Sequence, residues 1–159
     1  MRCPVKTLLV HCSGDEAVTS LCAKSASSSI DVLELRELSN ASPLLKRIKN
    51  YCGRSAGVPR SYDLPVEAYD KIIIACDGCL SGVYPVVGQF IEKHTLRAKD
   101  VSCIVFGEGR VAKKASDALR VLVALSGGTV SRLVSVPVRT FKRDDEDVLT
   151  FVRHEMTVR

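Results

Sequence analysis

Residues 69–90 read Y-D-K-I-I-I-A-C-D-G-C-L-S-G-V-Y-P-V-V-G-Q-F, and the architecture of the chain follows from how this stretch is understood. Residues 71–75 (K-I-I-I-A) are dominated by β-branched apolar side chains, the composition of a strand buried on both faces of a parallel sheet. Asp77, Gly78, Ser81 and Gly82 break that run, so the strand is expected to end near Cys76 and to give way to a loop reaching Tyr84. Pro85 suits the first turn of a helix, where its missing N–H is not needed, and Val86, Val87, Phe90 and Ile91 form an apolar stripe behind it. The stretch therefore predicts strand, loop, helix. In open α/β sheets, ligands sit beyond the carboxyl ends of the strands where strand order reverses, which makes loop 76–84 the first candidate functional segment.

Working outward, the same rhythm recurs on both sides. Residues 7–12 (T-L-L-V-H-C) repeat the buried-strand pattern. Ser13-Gly14-Asp15-Glu16 then matches a capping box, in which the Ser13 hydroxyl accepts from the Glu16 amide while the Glu16 carboxylate accepts from the Ser13 amide. Val18, Leu21 and Cys22 line one side of the helix this would start. Residues 30–35 (I-D-V-L-E-L) alternate, as in a strand nearer a sheet edge. Ser42 and Pro43 cap and open a helix to about Cys52, and residues 53–65, rich in Gly, Pro, Ser and Arg, are the one long loop. Towards the C-terminus, residues 101–106 (V-S-C-I-V-F) form another strand. The turn Gly107-Glu108-Gly109-Arg110 follows, and then a helix with Val111, Ala115, Leu119 and Leu122 on its apolar side, closed by Gly127 and Gly128. Residues 130–138 alternate as a last strand frayed by Pro137, and Asp144, Asp145, Glu146 and Asp147 crowd the first turn of a final helix. Five strands alternating with five helices predict an α/β fold, a parallel sheet covered on both faces by right-handed crossovers.

With 159 residues and 46% hydrophobic content, the chain is expected to form a single domain, 1–159, able to bury a core without disulfides or metal staples. Seven cysteines scattered through apolar segments argue for a reducing compartment, read as cytoplasmic, rather than for a secreted disulfide scaffold. No charged-then-apolar leader pattern and no apolar run approaching the ~20 residues of a membrane helix is present, so no membrane partner is expected. The net charge of +5 is spread among interleaved acids and bases, and the four Tyr and four Phe do not alternate with basic residues. No nucleic-acid partner is expected either.

The central stretch resembles flavodoxin-like proteins, which follow their third strand with a loop and then P-x-x-x-x-F at the start of the third helix, here Pro85 to Phe90. The resemblance extends to nearly the whole chain, including residues 62–70 before the strand and 96–109 after it. It implies a flavodoxin-like three-layer α/β/α sandwich with a five-stranded parallel sheet in the order 2-1-3-4-5, its switch point between the strands ending at Cys12 and Cys76. It also implies FMN as cofactor and a redox or other protein partner, whose identity and the oligomeric state the residues do not specify. The site residues it implies are Ser13 and Gly14 after the first strand, Cys76, Asp77, Gly78, Cys79 and Tyr84 after the third, and Gly107, Glu108 and Gly109 after the fourth.

These positions depart from the family pattern. Flavodoxins carry S/T-x-T-G-x-T after the first strand, where hydroxyls and bare amides cradle the flavin phosphate. Here only Ser13 matches, because the second Thr falls on Asp15, the Gly on Glu16 and the last Thr on Val18. A carboxylate and a phosphate charge about 4 Å apart repel by ~1 kcal/mol even at the dielectric of water. The usual aromatic that stacks on the flavin is replaced by the Cys76–Leu80 segment, leaving Tyr84, Tyr62 or Phe106 as substitutes. The expected function is flavodoxin-like redox or electron transfer with FMN bound weakly or non-canonically. The alternative is a flavodoxin-fold module that has lost flavin and acts through protein contacts or loop thiols.

Cys76 and Cys79 form a C-x-x-C, but on a loop rather than at a helix start and with Asp77 between them, so Cys79 is expected to react slowly and Cys76 to be protected at the strand end, rather than the two forming a working dithiol. Cys12, Cys76 and Cys79 with His11 could meet zinc-ligand requirements in number, but one C-x-x-C without a second pair is a weak metal signal and His11 and Cys12 point to opposite faces of their strand, so no metal is expected. No catalytic residue is singled out.

Overall fold

The computed structural model describes residues 5–14, 22, 24, 30–35, 37–38, 58–59 and 64–137. Strand β1 is Thr7–Cys12, β2 is Ile30–Glu34, β3 is Glu37–Leu38 and β4 is Val58–Pro59. A 3-10 turn at Val66–Ala68 leads into β5, Lys71–Cys79, and the short β6, Gly82–Val83. Helix α1 (Pro85–Lys93), β7 (Asp100–Phe106), α2 (Gly109–Leu125) and β8 (Thr129–Val136) follow. The long strands lie in the order β2-β1-β5-β7-β8 and every pairing among them is parallel, so the five run second, first, third, fourth, fifth across the sheet. This is the expected order, with β1 and β5 adjacent at the centre and β8 at an edge.

β5 is central because its side chains are apolar on both faces. Ile72, Ile74 and Cys76 join Leu8, Val10, Val101, Cys103 and Val105 in a core completed by Val86, Val87, Phe90 and Ile91 of α1 and Ala112, Ala115, Leu119 and Val123 of α2. Ile73 and Ala75 point the other way and pack with Leu9, Ile30, Ile104, Phe106 and Cys22. Each such aliphatic or aromatic side chain, once fully buried, stabilises the fold by about 1.5–3 kcal/mol. β8, by contrast, is half-buried at best along its length, the exposure of an edge strand. Its register with β7 slips between Val101 and Ser102, leaving Ser131 to bond the Val101 carbonyl at 3.1 Å and the Asp100 carboxylate.

Three features differ from the expectation. β5 does not stop near Cys76; it runs to Cys79 and folds back on β6 as an antiparallel hairpin, with Gly78 opposite Val83 and Cys79 opposite Gly82. Polar residues that disqualify a buried strand are compatible with one leaving the sheet, and Asp77, Gly78 and Cys79 are all half-buried. The last strand starts one residue earlier and ends two earlier than the alternation suggests, just before Pro137, which cannot donate to a ladder. A two-residue antiparallel ladder, β3 with β4, lies partly in the stretch read as a loop. The helices expected after Ser13, after Ser42 and from Asp144 lie outside the described residues, except that Cys22 and Lys24 are helical. No helix among the described residues is long and apolar enough to cross a membrane.

Candidate functional site

The carboxyl ends of β1 and β5 meet in register, with Cys12 opposite Cys76. One residue further on, the two chains are joined by side chains. The Ser13 hydroxyl donates to Asp77 Oδ1 at 2.8 Å, and the Gly14 N–H donates to Asp77 Oδ2 at 2.8 Å. Both carboxylate oxygens thus accept from the loop that leaves β1, and such charge-assisted bonds are the stronger kind. The Ser13 hydroxyl proton goes across the sheet to Asp77; its capping partner Glu16 lies outside the described residues.

Sulfur and phenol surround the carboxylate. Burial pushes the Cys76 thiol well up, assisted by Cys103, Cys12 and then Asp77, so it stays protonated. Burial, then Asp77, pushes Cys22 up to about 12. Tyr84 is driven upward first by burial and then by Asp77 and the neighbouring cysteines. The push that sequence reasoning assigned to Asp77 therefore belongs chiefly to desolvation. Cys79 Sγ lies 3.2 Å from Ser81 Oγ at the hairpin turn. The cysteines described, Cys12, Cys22, Cys76, Cys79 and Cys103, are all free thiols, and among the described residues no group of His, Cys, Asp or Glu is arranged to hold a metal ion.

The hairpin β5–β6 lies against α2. A Cβ at Gly78 would stand 2.9 Å from Val111 Cγ1 and 3.1 Å from the Val111 carbonyl oxygen. Gly82 has φ +115°, and a Cβ there would stand 3.2 Å from Ala118 Cβ. Lys114 Nζ donates to the Leu80 carbonyl at 3.2 Å and holds the tip from the same helix. These two glycines serve close packing on α2. The turn before α2 is arranged differently: the Gly107 N–H donates to the Val136 carbonyl at 3.0 Å, Glu108 is exposed, and Gly109 has φ +58° with open space around it.

Of the residues expected to form the site, Ser13, Gly14 and Asp77 are brought into direct contact, with Cys76 and Tyr84 near the carboxylate. Gly78 and Cys79 are turned into the hairpin. Of the substitute stackers, Phe106 is 1% exposed and packed in the core on the Cys22 side, which removes it as a ring platform. Tyr62 lies outside the described residues. Tyr84 is half-buried against the core and also lines a cleft of about 280 Å³ with Val83, Pro85, Gly88 and Gln89, and among the described residues neither Asp77 nor Ser13 nor Gly14 lines that cleft. The Asp77 contact is separated by 64 residues in sequence, and its only signal is the strand order, which places residues 13 and 77 side by side at the switch point.

Solved structures share this fold. A proposed flavoprotein from Bacteroides uniformis matches with a TM-score of 0.70 at 16% identity, over 94% of this chain and 98% of its own. A short-chain flavodoxin associated with a bacterial microcompartment matches at 0.50 and 13% identity, over 94% and 95%. The fold is flavodoxin-like. A flavoprotein from Lactobacillus acidophilus, solved in complex with FMN, has the same flavodoxin-like fold at a TM-score of 0.64 and 12% identity, over 82% of this chain and 93% of its own. No protein-family model and no curated protein matches the sequence, so the likeness is one of fold.

The flavodoxin-like fold directs attention to whether the residues present fit a flavin phosphate. A phosphate in such a loop needs hydroxyl and amide donors. Here the hydroxyl of Ser13 and the amide of Gly14 are engaged by a carboxylate of the same charge sign as the phosphate. As arranged, the described part of the β1 loop, Ser13 and Gly14, does not fit the phosphate of FMN.

Proposed function

We propose that the chain is a flavodoxin-like redox protein that exchanges electrons with a protein partner and takes FMN weakly or in a non-canonical pose. The observation that carries this reading is the Asp77 carboxylate seated on Ser13 Oγ and the Gly14 amide at the switch point of the sheet. The place where flavodoxin-like folds receive a ligand is present, and the two donors described there, Ser13 Oγ and the Gly14 N–H, are turned to Asp77. The fold's likeness to flavoproteins, one of them solved with FMN, supports a flavin as the electron carrier. Such a ring, when bound, supplies the redox chemistry, and the protein supplies position and electrostatics.

The same observation favours a second reading, a module that has lost flavin and works through protein contacts. Its variant based on loop thiols is disfavoured, because burial keeps Cys76 protonated and the thiolate is the reactive form. Titration of the purified, flavin-free chain with FMN, followed by flavin fluorescence, tests the first reading. Saturable binding of micromolar affinity or weaker is the expected result. A protein that purifies with stoichiometric, tightly held FMN would contradict the weak-binding claim, and complete absence of flavin binding would favour the second reading.

A further inference from the structure

We propose that Asp77 is a specificity-determining residue that selects against phosphorylated flavins, so that of two flavins differing only in the phosphate this site favours the neutral one, riboflavin over FMN. This inference rests on the flavin reading given above and adds to it the ligand the site prefers.

The argument begins with the donors. A loop that binds a phosphate monoester presents hydroxyl and amide N–H groups to it, and the described part of the β1 loop presents Ser13 Oγ and the Gly14 N–H. Each is bonded at 2.8 Å to a different oxygen of one carboxylate, so Asp77 satisfies this pair as an external oxyanion would. A phosphate dianion arriving here has to displace Asp77 and remain beside its charge, where charges about 4 Å apart repel by ~1 kcal/mol per pair even at the dielectric of water. A flavin without phosphate does neither.

The position of the carboxylate is set by the fold. Asp77 follows Cys76, which is fully buried and in register with Cys12, and it precedes Gly78, whose backbone is pressed on Val111. The backbone is held on both sides of the residue, and displacing the carboxylate requires its side chain to rotate away from both donors. Gly14 stands close enough that an added Cβ would be 3.9 Å from Asp77 Oδ2. The arrangement is an internal anion built into the place where other members of the fold class receive an external one.

The test compares riboflavin with FMN in the unmodified chain, in Asp77→Asn, which keeps the shape and removes the charge, and in Asp77→Ala, which releases the donors. Dissociation constants are read by fluorescence quenching, and thermal melts confirm that each variant is folded. The unmodified chain is expected to bind riboflavin more tightly than FMN. Both variants are expected to tighten FMN by about tenfold or more while leaving riboflavin within about twofold, a divergence that a merely structural role would not produce. Binding of FMN as tightly as riboflavin by the unmodified chain overturns the inference and leaves the flavin reading standing. Binding of FMN by the variants alone, with riboflavin bound by no form, overturns the preference for riboflavin and removes the flavin reading for the native protein. Absence of either flavin from all three forms overturns both.

Discussion

The two ends of the sheet use their charged groups differently. At the amino ends of the strands, charged groups meet unlike charge, hydroxyls or backbone groups of neighbouring elements. Lys71, only 5% exposed, lies 3.7 Å from Asp100 Oδ2, and Asp100 also accepts from Ser131 of β8. Lys99 donates to the carbonyls of Glu67 and Tyr69, and the Tyr69 hydroxyl donates to Asp31 of β2 at 2.6 Å. These contacts join the chain around β2, β5, β7 and β8 and close that end. At the carboxyl ends, Asp77 is held by two uncharged donors of a loop. The difference teaches that carboxylates of similar placement serve different purposes: Asp100 ties strands together, whereas Asp77 sits where a ligand's anion would.

The largest expected effect separates the two ends by alkaline titration. Cys22 and Cys103 rise from an ordinary 9.0 to about 12, both chiefly through burial, and Cys76 rises as well. Tyr69, at the other end, rises from 10.0 to about 12 through burial and its bond to Asp31. A group whose folded value is raised contributes stability that is fully present below its unfolded value and is lost as pH climbs through the folded one. Stability should therefore fall between pH 9 and about 12, the thiols contributing from about pH 9 and the phenol from about pH 10. Each unit of difference is worth about 1.4 kcal/mol per group. Denaturant midpoints measured across this range with reductant present should decline, and in a variant with Cys3, Cys12, Cys52 and Cys79 replaced by Ser the thiolate absorbance of Cys22, Cys76 and Cys103 should appear only on unfolding. Thiolate absorbance in that folded variant near pH 9 would break the comparison.

A smaller effect is expected from removing each carboxylate in turn. Asp100→Ala leaves the Lys71 ammonium without its carboxylate partner and should cost about 1–3 kcal/mol by denaturant unfolding. Asp77→Ala uncovers a hydroxyl and an amide at an exposed loop, where water replaces the carboxylate, and should cost about 1 kcal/mol or less. If Asp77→Ala proved the more costly, the carboxyl end would be a structural closure like the other.

Much of this organisation is legible in the residues. The two-faced apolar run around Ile73 and the Pro85 helix start specify a parallel sheet flanked by helices, because such a strand has to be buried on both sides. The hairpin is not legible. Asp77, Gly78 and Cys79 look like a loop to any pattern of hydrophobicity, and what makes them a strand is pairing with β6 and the close approach of Val111, both tertiary. Gly78 and Gly82 show the same ambiguity, since clearance for a ligand and clearance for a helix require the same residue. The Ser13–Asp77 contact lies between these extremes: no local signal marks it, but the strand order places its two halves together.

That contact is tested most directly by the amide resonance of Gly14 in nitrogen–proton correlation spectra of the flavin-free protein. The Gly14 proton, bonded to a carboxylate at 2.8 Å, should resonate far downfield, move upfield as acid protonates Asp77, and lose both properties in Asp77→Ala. An unshifted Gly14 amide that titrates identically with and without the Asp77 carboxylate would contradict the account.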